Sequence, residues 1–440
     1  MVGITKIKVE NQKVEKEAFF CTTKELSRLG LEQIPTQFQS HKHLIYSSPA
    51  TLAFNSPGAE GFGVKRAGLA VPDSIMLIVA PGCCGRNTSL ISSMKEYNDR
   101  FYYLMMDETD IVTGRHLKKI PKAVEEIYSV CPKKPSVVMI CITCVDALLG
   151  TDMERVCKKA EEQVEIPVRP CYMYALTREG RKPPMVHVRQ SLYSLLEPGK
   201  KKGNVVNLLG FFSPLVDDCE IYDLLHSAGV KTIHEISRCK DYMEYQTMSE
   251  ANFNLVLHHE ARFAAEDFHN RLQIPFIELR RLYQIDKIEN QYHALGNALG
   301  VAFYDEKYKK QAEDALEKFR QKCPDASFAI GECLNADPFE LSLALIRYGF
   351  SVPEIYGTIT VENFTYIRSL AKISPETKVF SNMEPTMIYY DPAKSDVNLT
   401  IGKDACYYHP DCPYVMWNGE EQPYGYAGVR RLFEQLLEVV

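Results

Sequence analysis

Two adjacent cysteines, Cys83 and Cys84, closely follow an apolar run over residues 74–80. A second apolar run, over 136–142, is closely followed by Cys144. Thiolates near the N-terminus of a helix are stabilised by the helix dipole and by free backbone N–H groups. The same N–H groups can bond the sulfides of an iron–sulfur cluster. Spacing alone leaves two interpretations open: ligands of a metal–sulfur group, or buried structural cysteines.

Two adjacent histidines, His258 and His259, end the apolar run 252–259. An imidazole can donate a proton or bind a metal, so either residue is a candidate for contact with a substrate. Glu260 and Arg262 follow closely and could bond the imidazole or a substrate carboxylate. The alternatives are one buried and one exposed histidine without a function, and an ordinary ion pair at a helix start.

Short apolar runs alternate with helical patterns from about residue 75, which predicts an α/β fold. Near-continuous apolar strands indicate parallel sheets that are covered on both faces, here in a doubly wound arrangement. Ligands of such sheets bind beyond the C-terminal ends of the strands, so Cys84 and Cys144 converge if their strands are neighbours. The other predicted strands cover residues 101–106, 204–211, 231–236, 252–259, 275–279, 327–332, 353–358, 378–383 and 387–390.

Two breaks divide the pattern into three α/β units. Residues 197–204 form a linker rich in Pro, Gly and Lys, and residues 318–327 close a charged helix before a new strand. The predicted domains are therefore 1–200, which carries the candidate cysteines, 201–322 and 323–440.

Composition narrows the class of protein. Hydrophobic residues make up 45% of the chain and charged residues 25%, as in soluble globular proteins. The net charge of -6 gives no argument for nucleic acid or an anionic membrane as a partner. No apolar run reaches the roughly 18 residues of a membrane span, and no signal pattern opens the sequence, so we expect a cytoplasmic protein. In that reducing compartment the 14 cysteines do not form a disulfide framework.

Four stretches together resemble the catalytic-component (component 1) family of nitrogenase and the nitrogenase-like reductases. They are "NSPGAEG" (55–61), "APGCCG" (80–85), "CVDALLGTDMERV" (144–156) and "NVVNLLGFFSP" (204–214), and "PYGYAGVRRLFEQLL" (423–437) extends the match to the C-terminal helix. The relatives include the dark-operative protochlorophyllide reductase and the reductive cyclase of F430 synthesis.

The resemblance implies three Rossmann-like domains and subunits that pair around an iron–sulfur cluster. It also implies that a separate ATP-dependent iron protein docks over the interface and delivers electrons. Carried over, Cys84 and Cys144 are the cluster ligands. Cys83 stands where the family usually has glycine, so we expect it not to be a ligand, although it remains an alternative.

Two departures from the family pattern alter these expectations. Asn55 falls where the family has its first cluster cysteine, and its side chain has no anionic form. Two thiolates per chain then remain, and two chains supply the four ligands of a [4Fe–4S] cluster shared in a homodimer or with a paralogous subunit. His258 falls where the nitrogenase catalytic subunit anchors its iron–molybdenum cofactor by cysteine, which disfavours reduction of dinitrogen.

The leading hypothesis from the sequence is therefore a nitrogenase-like reductase subunit, an oxidoreductase. It would accept electrons from the iron protein onto the interfacial cluster and reduce a bound substrate, with His258 or His259 as proton donor. One alternative is a non-catalytic scaffold or structural partner subunit for cofactor assembly. Another is a Rossmann-like binding module without a cluster.

Overall fold

The computed structural model describes residues 16–39, 63–82, 97–172 and 182–440. Its strands form three sheets in which almost every neighbouring pair is parallel. The predicted α/β fold is confirmed, and three Rossmann-like domains fit the three sheets. The boundaries at residues 200 and 322 stay a prediction.

The first sheet carries the edge at which Cys144 lies. Its strand order is β3-β2-β4-β5, and all pairs are parallel. Every residue of the two central strands is buried, as expected for a sheet covered on both faces. The strands are β2 (Ile75–Ala80), β3 (Phe101–Met105), β4 (Val138–Ile142) and β5 (Val168–Tyr172). The helices are α2 (Val64–Ala67), α3 (Glu108–Thr113), α4 (His116–Val130), α5 (Cys144–Leu149), α6 (Met153–Val164) and α7 (Pro184–Tyr193).

The second sheet has the order β7-β6-β8-β9 and is wholly parallel. It packs against the first unit, since Met76 and Ile78 share one apolar core with Leu209 and Val256. The strands are β6 (Val205–Leu209), β7 (Thr232–His234), β8 (Phe253–Val256) and β9 (Phe276–Glu278). The helices are α8 (Glu220–Ser227), α9 (Tyr242–Gln246), α10 (Arg262–Leu272), α11 (Ile285–Leu299) and α12 (Glu306–Lys322).

The third sheet has the order β1-β12-β11-β10-β13-β14. An aromatic cluster that includes Phe319, Phe328 and Phe433 joins it to the second unit. The strands are β1 (Phe20–Thr22), β10 (Ser327–Ile330), β11 (Ser351–Tyr356), β12 (Lys378–Phe380), β13 (Leu399–Ile401) and β14 (Tyr414–Val415). The helices are α1 (Thr23–Leu29), α13 (Pro338–Arg347), α14 (Phe364–Ile373), α15 (Lys403–Tyr408) and α16 (Gly425–Val439).

Two local features differ from the sequence prediction. Strand β1 pairs antiparallel with β12, so the start of the described chain joins the third sheet rather than the first. The predicted strand 387–390 was wrong: Pro385–Tyr389 is a 3-10 helix. Proline presets the helical φ at its first position, and the side chain of Glu384 accepts the Thr386 N–H, which favours a turn over a strand.

No helix among these residues has the length and apolar character that crossing a membrane requires.

Candidate functional site

The strands that lead to Cys84 and Cys144 are neighbours in the first sheet. Val79 of β2 pairs with Ile142 of β4 in parallel register, so both strands end at the same edge. Cys144 opens α5, two residues beyond β4, and the structure describes its backbone alone. Cys84 lies outside the described residues, as does Cys83. Convergence of the two thiols therefore stays a prediction, which the shared edge supports.

Two buried polar atoms beside Cys144 have no hydrogen-bond partner within the ranges that the structure describes. They are the hydroxyl of Thr143 and one carboxylate oxygen, Oδ2, of Asp146. A buried polar atom without a partner costs about 1–3 kcal/mol, and such atoms often mark the place of a bound group. The Thr143 hydroxyl and the free N–H groups at the start of α5 can donate to sulfides. These donors fit a cluster held by thiolates, whereas the Asp146 oxygen can only accept a hydrogen bond and does not belong to the donor set.

A buried His–Asp pair fixes the start of α5. The other Asp146 oxygen, Oδ1, lies 2.8 Å from His116 Nε2 and accepts the Thr151 hydroxyl at 3.1 Å. His116 Nδ1 lies 3.0 Å from the carbonyl oxygen of Asp110, so both ring nitrogens face oxygen atoms. The sequence did not predict the contact of His116 with Asp146, because 30 residues separate them and neither segment contains a motif that indicates it.

The family-like spacing after Cys144 has a local structural cause. Gly150 ends α5 with a φ of +65°, a left-handed conformation that glycine adopts without strain. The side chain of Asp152 then caps α6 by accepting the Arg155 N–H at 3.1 Å. These two residues turn the chain sharply away from the sheet edge and leave Cys144 at that edge.

His258 and His259 follow β8 at the C-terminal edge of the second sheet, where the sequence analysis placed them. A Cβ atom added to Gly210, which follows the neighbouring strand β6, would lie 2.8 Å from the backbone nitrogen of His258. Glycine at 210 thus permits the close approach of the two strand ends. The His258 ring stacks on His259 at 4.5 Å and meets the edge of Phe211 at 5.7 Å. His258 is half-buried and His259 is exposed.

Arg189 of α7 joins the first unit to this edge. Its guanidinium donates to the carbonyl oxygen of Gly210 at 2.7 and 3.0 Å and to a Glu260 carboxylate oxygen at 2.8 Å. The same Glu260 oxygen lies 3.7 Å from His258 Nδ1. Glu260 therefore pairs more closely with Arg189 than with His258. Arg189 was missed because its helix reads as a simple amphipathic segment.

Arg262 has the ordinary role that the sequence left open. Its guanidinium donates to both carboxylate oxygens of Glu278, at 2.6 and 2.8 Å. This ion pair ties the start of α10 to β9 and leaves Arg262 unavailable for a substrate carboxylate.

The electrostatic surroundings keep His258 neutral. Burial, and then the positive charges of Arg189, His259 and Arg281, lower the pKa of His258 well below 6.5. Nδ1 accepts the Glu260 N–H at 3.4 Å, which assigns the proton of the neutral ring to Nε2. The half-buried ring thus offers an N–H donor at Nε2, or a free nitrogen at Nε2 in the other neutral tautomer, whose proton is on Nδ1.

We expect the stability of the protein to fall as the pH drops below 6.5, with part of the slope due to His258. The lowered folded-state pKa means that the unfolded chain binds the proton first, so acid favours unfolding. One such group contributes at most about 1.4 kcal/mol per pH unit, and a half-buried ring contributes less. The measurement is the melting temperature between pH 5 and 7 for the wild type and for His258→Gln, which should show a shallower slope. His269→Gln, a change of an exposed histidine on α10, should leave the slope unchanged, and an equal slope for His258→Gln would contradict the assignment.

Within the part of the chain that the structure describes, no three His, Cys, Asp or Glu side chains lie close enough to hold a metal ion.

Curated relatives of this chain are proteins of cofactor biosynthesis. The nitrogenase iron-molybdenum cofactor biosynthesis protein NifE of Sinorhizobium fredii is 25% identical over 418 residues, which cover 89% of this chain and 82% of that protein. The NifE protein of a Nostoc species is also 25% identical, over 61% of this chain and 58% of its own length. The NifE protein of Mesorhizobium japonicum is 26% identical over 89% of this chain and 82% of its length.

These relatives correct the leading hypothesis from the sequence. The prediction of a subunit that itself reduces a bound substrate is wrong, because the similar proteins are named for cofactor biosynthesis. The findings favour the alternative of a scaffold for cofactor assembly. The sequence stretches that carry the resemblance do not separate a reductase from an assembly protein.

A solved structure shows the fold of the chain, and a family model shows its family. A solved structure of nitrogenase Cp1 at pH 6.5 superposes with a TM-score of 0.70 over 90% of this chain and 93% of that chain, at 18% identity, which shows a shared fold. The family model described as nitrogenase component 1 type oxidoreductase matches residues 60–440. The match covers most of the sequence, including every described strand except β1, and so the chain belongs to the nitrogenase component 1 type oxidoreductase family.

Proposed function

We propose that this chain is a scaffold subunit on which a metal–sulfur cofactor is assembled. The observation that carries the proposal is the similarity to proteins named for cofactor biosynthesis along 89% of the chain. The fold is consistent with it, since Cys144 and the His258–His259 pair each follow a strand at the C-terminal edge of a sheet. The chain then holds cargo rather than turning over a small substrate.

In this proposal Cys84 and Cys144 bind a [4Fe–4S] cluster that the chain shares with a second subunit. Such a cluster, when bound, stores low-potential electrons. Thr143 and the α5 N–H groups donate to it, and the His116–Asp146 pair keeps the helix start in place. Asn55, standing where the family has a cysteine, supports a site completed by another chain.

In the same proposal the cargo binds at the edge of the second sheet, beside His258 and His259. A metal–sulfur precursor is a substrate here, and a neutral imidazole is a suitable ligand for iron. Partial exposure of His258 supports this role, and so does the length, 3.4 Å, of the hydrogen bond that its Nδ1 accepts from the Glu260 N–H.

The partner is either a second copy or a paralogous subunit, and the ATP-dependent iron protein belongs to the same proposal as a transient electron donor. A two-fold or approximate two-fold axis near the cluster follows from the sharing of ligands. We expect the protein to be located in the cytoplasm.

The test is anaerobic purification of the chain with a co-expressed paralogue, followed by native mass and iron analysis. We expect a pair that holds about four irons at the shared cluster, plus further iron that passes to an acceptor protein. His258→Ala should lose the transferable iron and keep the cluster, while His269→Ala should keep both. Sustained reduction of a small substrate, with no transferable metal, would overturn the proposal.

A further inference from the structure

One arginine at the edge of the second sheet has no acidic partner among the described residues. Arg281 follows β9 by three residues, and its buried Nε atom has no hydrogen-bond partner in the described part of the chain. We propose that Arg281 binds a small oxyanion, a carboxylate or phosphate group, at this edge. The inference holds whether or not the chain is an assembly scaffold.

The contacts of Arg281 leave its charge uncompensated. Its Nη2 donates to the neutral amide oxygen of Gln422 at 2.6 Å, and its guanidinium lies over the Phe211 ring at 4.3 Å. An arginine carries five N–H donors, and among the described residues this one uses a single donor on a hydrogen bond. Burial lowers the pKa of the guanidinium, yet arginine stays protonated in proteins, so the positive charge remains.

Two buried arginines of the same region are paired with carboxylates. Arg189 donates to Glu260 at 2.8 Å, and Arg66 donates to Glu420 at 2.6 Å. Arg281 therefore differs from Arg189 and Arg66 because no described carboxylate pairs with it.

The nearby carboxylates are already engaged. Glu260 pairs with Arg189, Glu278 with Arg262 and Glu420 with Arg66. His258, Tyr283 and Tyr424 also sense the charge, since Arg281 contributes to the lowered pKa of His258 and opposes the raised pKa of the two phenols. Burying a charge without a partner is costly, and a bound anion removes that cost. The positive charge of Arg281 thus has no matching negative charge among the described residues at this edge of the second sheet.

The guanidinium geometry selects the class of anion. Nε and Nη2 form a fork that matches two oxygens of a planar carboxylate or of a phosphate. A ligand that took both donors would replace the Gln422 amide oxygen. Arg281 is only half-buried, so a small ligand can reach it.

The single tryptophan of the chain reports on this site. Trp417 Nε1 donates to the Tyr283 hydroxyl at 2.6 Å, and Tyr283 is two residues from Arg281. Trp417 has a φ of +47°, a left-handed conformation that is strained for a bulky residue. The segment from Trp417 to Gln422 therefore connects the fluorophore to the amide that the anion displaces.

The experiment titrates the full chain with inorganic phosphate and, separately, with succinate, at constant ionic strength set by chloride. Binding is followed by calorimetry and by tryptophan fluorescence. We expect saturable binding of at least one of the two, weakened by about tenfold or more in Arg281→Gln, as loss of a charge-assisted bidentate contact predicts. Arg281→Lys keeps the charge without the fork and should bind less well than the wild type. Arg280→Gln changes an exposed neighbouring arginine and should bind like the wild type.

The relative affinities for phosphate and succinate assign the ligand to one of the two oxyanions. Absence of saturable binding of both probes to the wild type overturns the inference, and so does unchanged binding in the two Arg281 variants. If Arg281→Gln fails to fold, as its melting curve would show, the lysine variant decides alone. Failure leaves the assembly role untouched, because that role is measured by transferable iron.

Discussion

Serine at position 84 or 144 should strip the anaerobically purified protein of its shared cluster. Iron–sulfur clusters need soft, anionic thiolate ligands, and a serine hydroxyl is neither. Each substitution removes one of the two thiolates that the chain supplies, and in a homodimer it removes two of four. We expect iron to fall from about four per pair to near zero, with loss of the brown colour. The measurement is iron and sulfide analysis of each variant with its visible spectrum.

Two controls make this result specific. Cys323→Ser changes a half-buried cysteine at the end of α12 and should leave iron unchanged. Cys83→Ser tests the neighbouring thiol and should also keep its iron, since Cys83 is not expected to be a ligand. Retention of full iron in both Cys84→Ser and Cys144→Ser would place the ligands elsewhere in the chain.

Glu220→Ala should cause a large loss of stability. Glu220 is buried, and one of its carboxylate oxygens accepts the Tyr292 hydroxyl at 2.7 Å and the Tyr426 N–H at 2.6 Å. The other oxygen accepts the Ala427 N–H at 3.0 Å. The carboxylate thus caps α16, and it approaches so closely that a Cβ on Gly425 would lie 1.9 Å from it. Since each buried unsatisfied group costs about 1–3 kcal/mol, we expect a loss of about 3–5 kcal/mol in the free energy of unfolding by urea.

Matched variants separate the cap from a general loss of charge. Glu220→Gln keeps an oxygen for two of the three bonds and should cost less than the alanine variant. Glu434→Ala on α16 removes a carboxylate that pairs with Arg430 at the surface, and it should cost about 0.5 kcal/mol or less. Equal losses in Glu220→Ala and Glu434→Ala would show that the buried carboxylate stabilises the fold no more than a surface carboxylate does.

The sequence predicted the parts of this fold that depend on local pattern. The runs 74–80 and 136–142 contain β2 and β4, because unbroken apolar stretches of that length are typical of strands buried on both faces. The positions of His258 and Cys144 at sheet edges followed, since a strand end fixes where the next residue emerges. Local pattern failed for residues 387–390, where Pro385 and the Glu384 cap outweighed the β propensity of the following residues.

The rest depends on which distant segments meet. In the sequence Arg281 is one of two adjacent arginines that would be expected at the surface. Its contacts with Gln422 and Phe211, and the lack of a carboxylate beside it among the described residues, appear only in the folded chain. The same holds for the His116–Asp146 pair. The reductase and the scaffold share their fold and their strand-end cysteines, so the choice between them needed named relatives.

The pairing of β1 with β12 constrains the order in which the chain can be completed during synthesis. Phe19 and Thr386, which bond across this region, are 367 residues apart, so the first strand waits for nearly the whole chain to be made. Until β12 emerges, β1 has no partner, and β12 in turn depends on β1 to cover its outer edge. Contacts of such long sequence separation form slowly, and uncovered strand edges invite aggregation. The third sheet should therefore be the last to close, and a ribosome-bound or C-terminally shortened chain should depend on chaperones far more than the finished protein does.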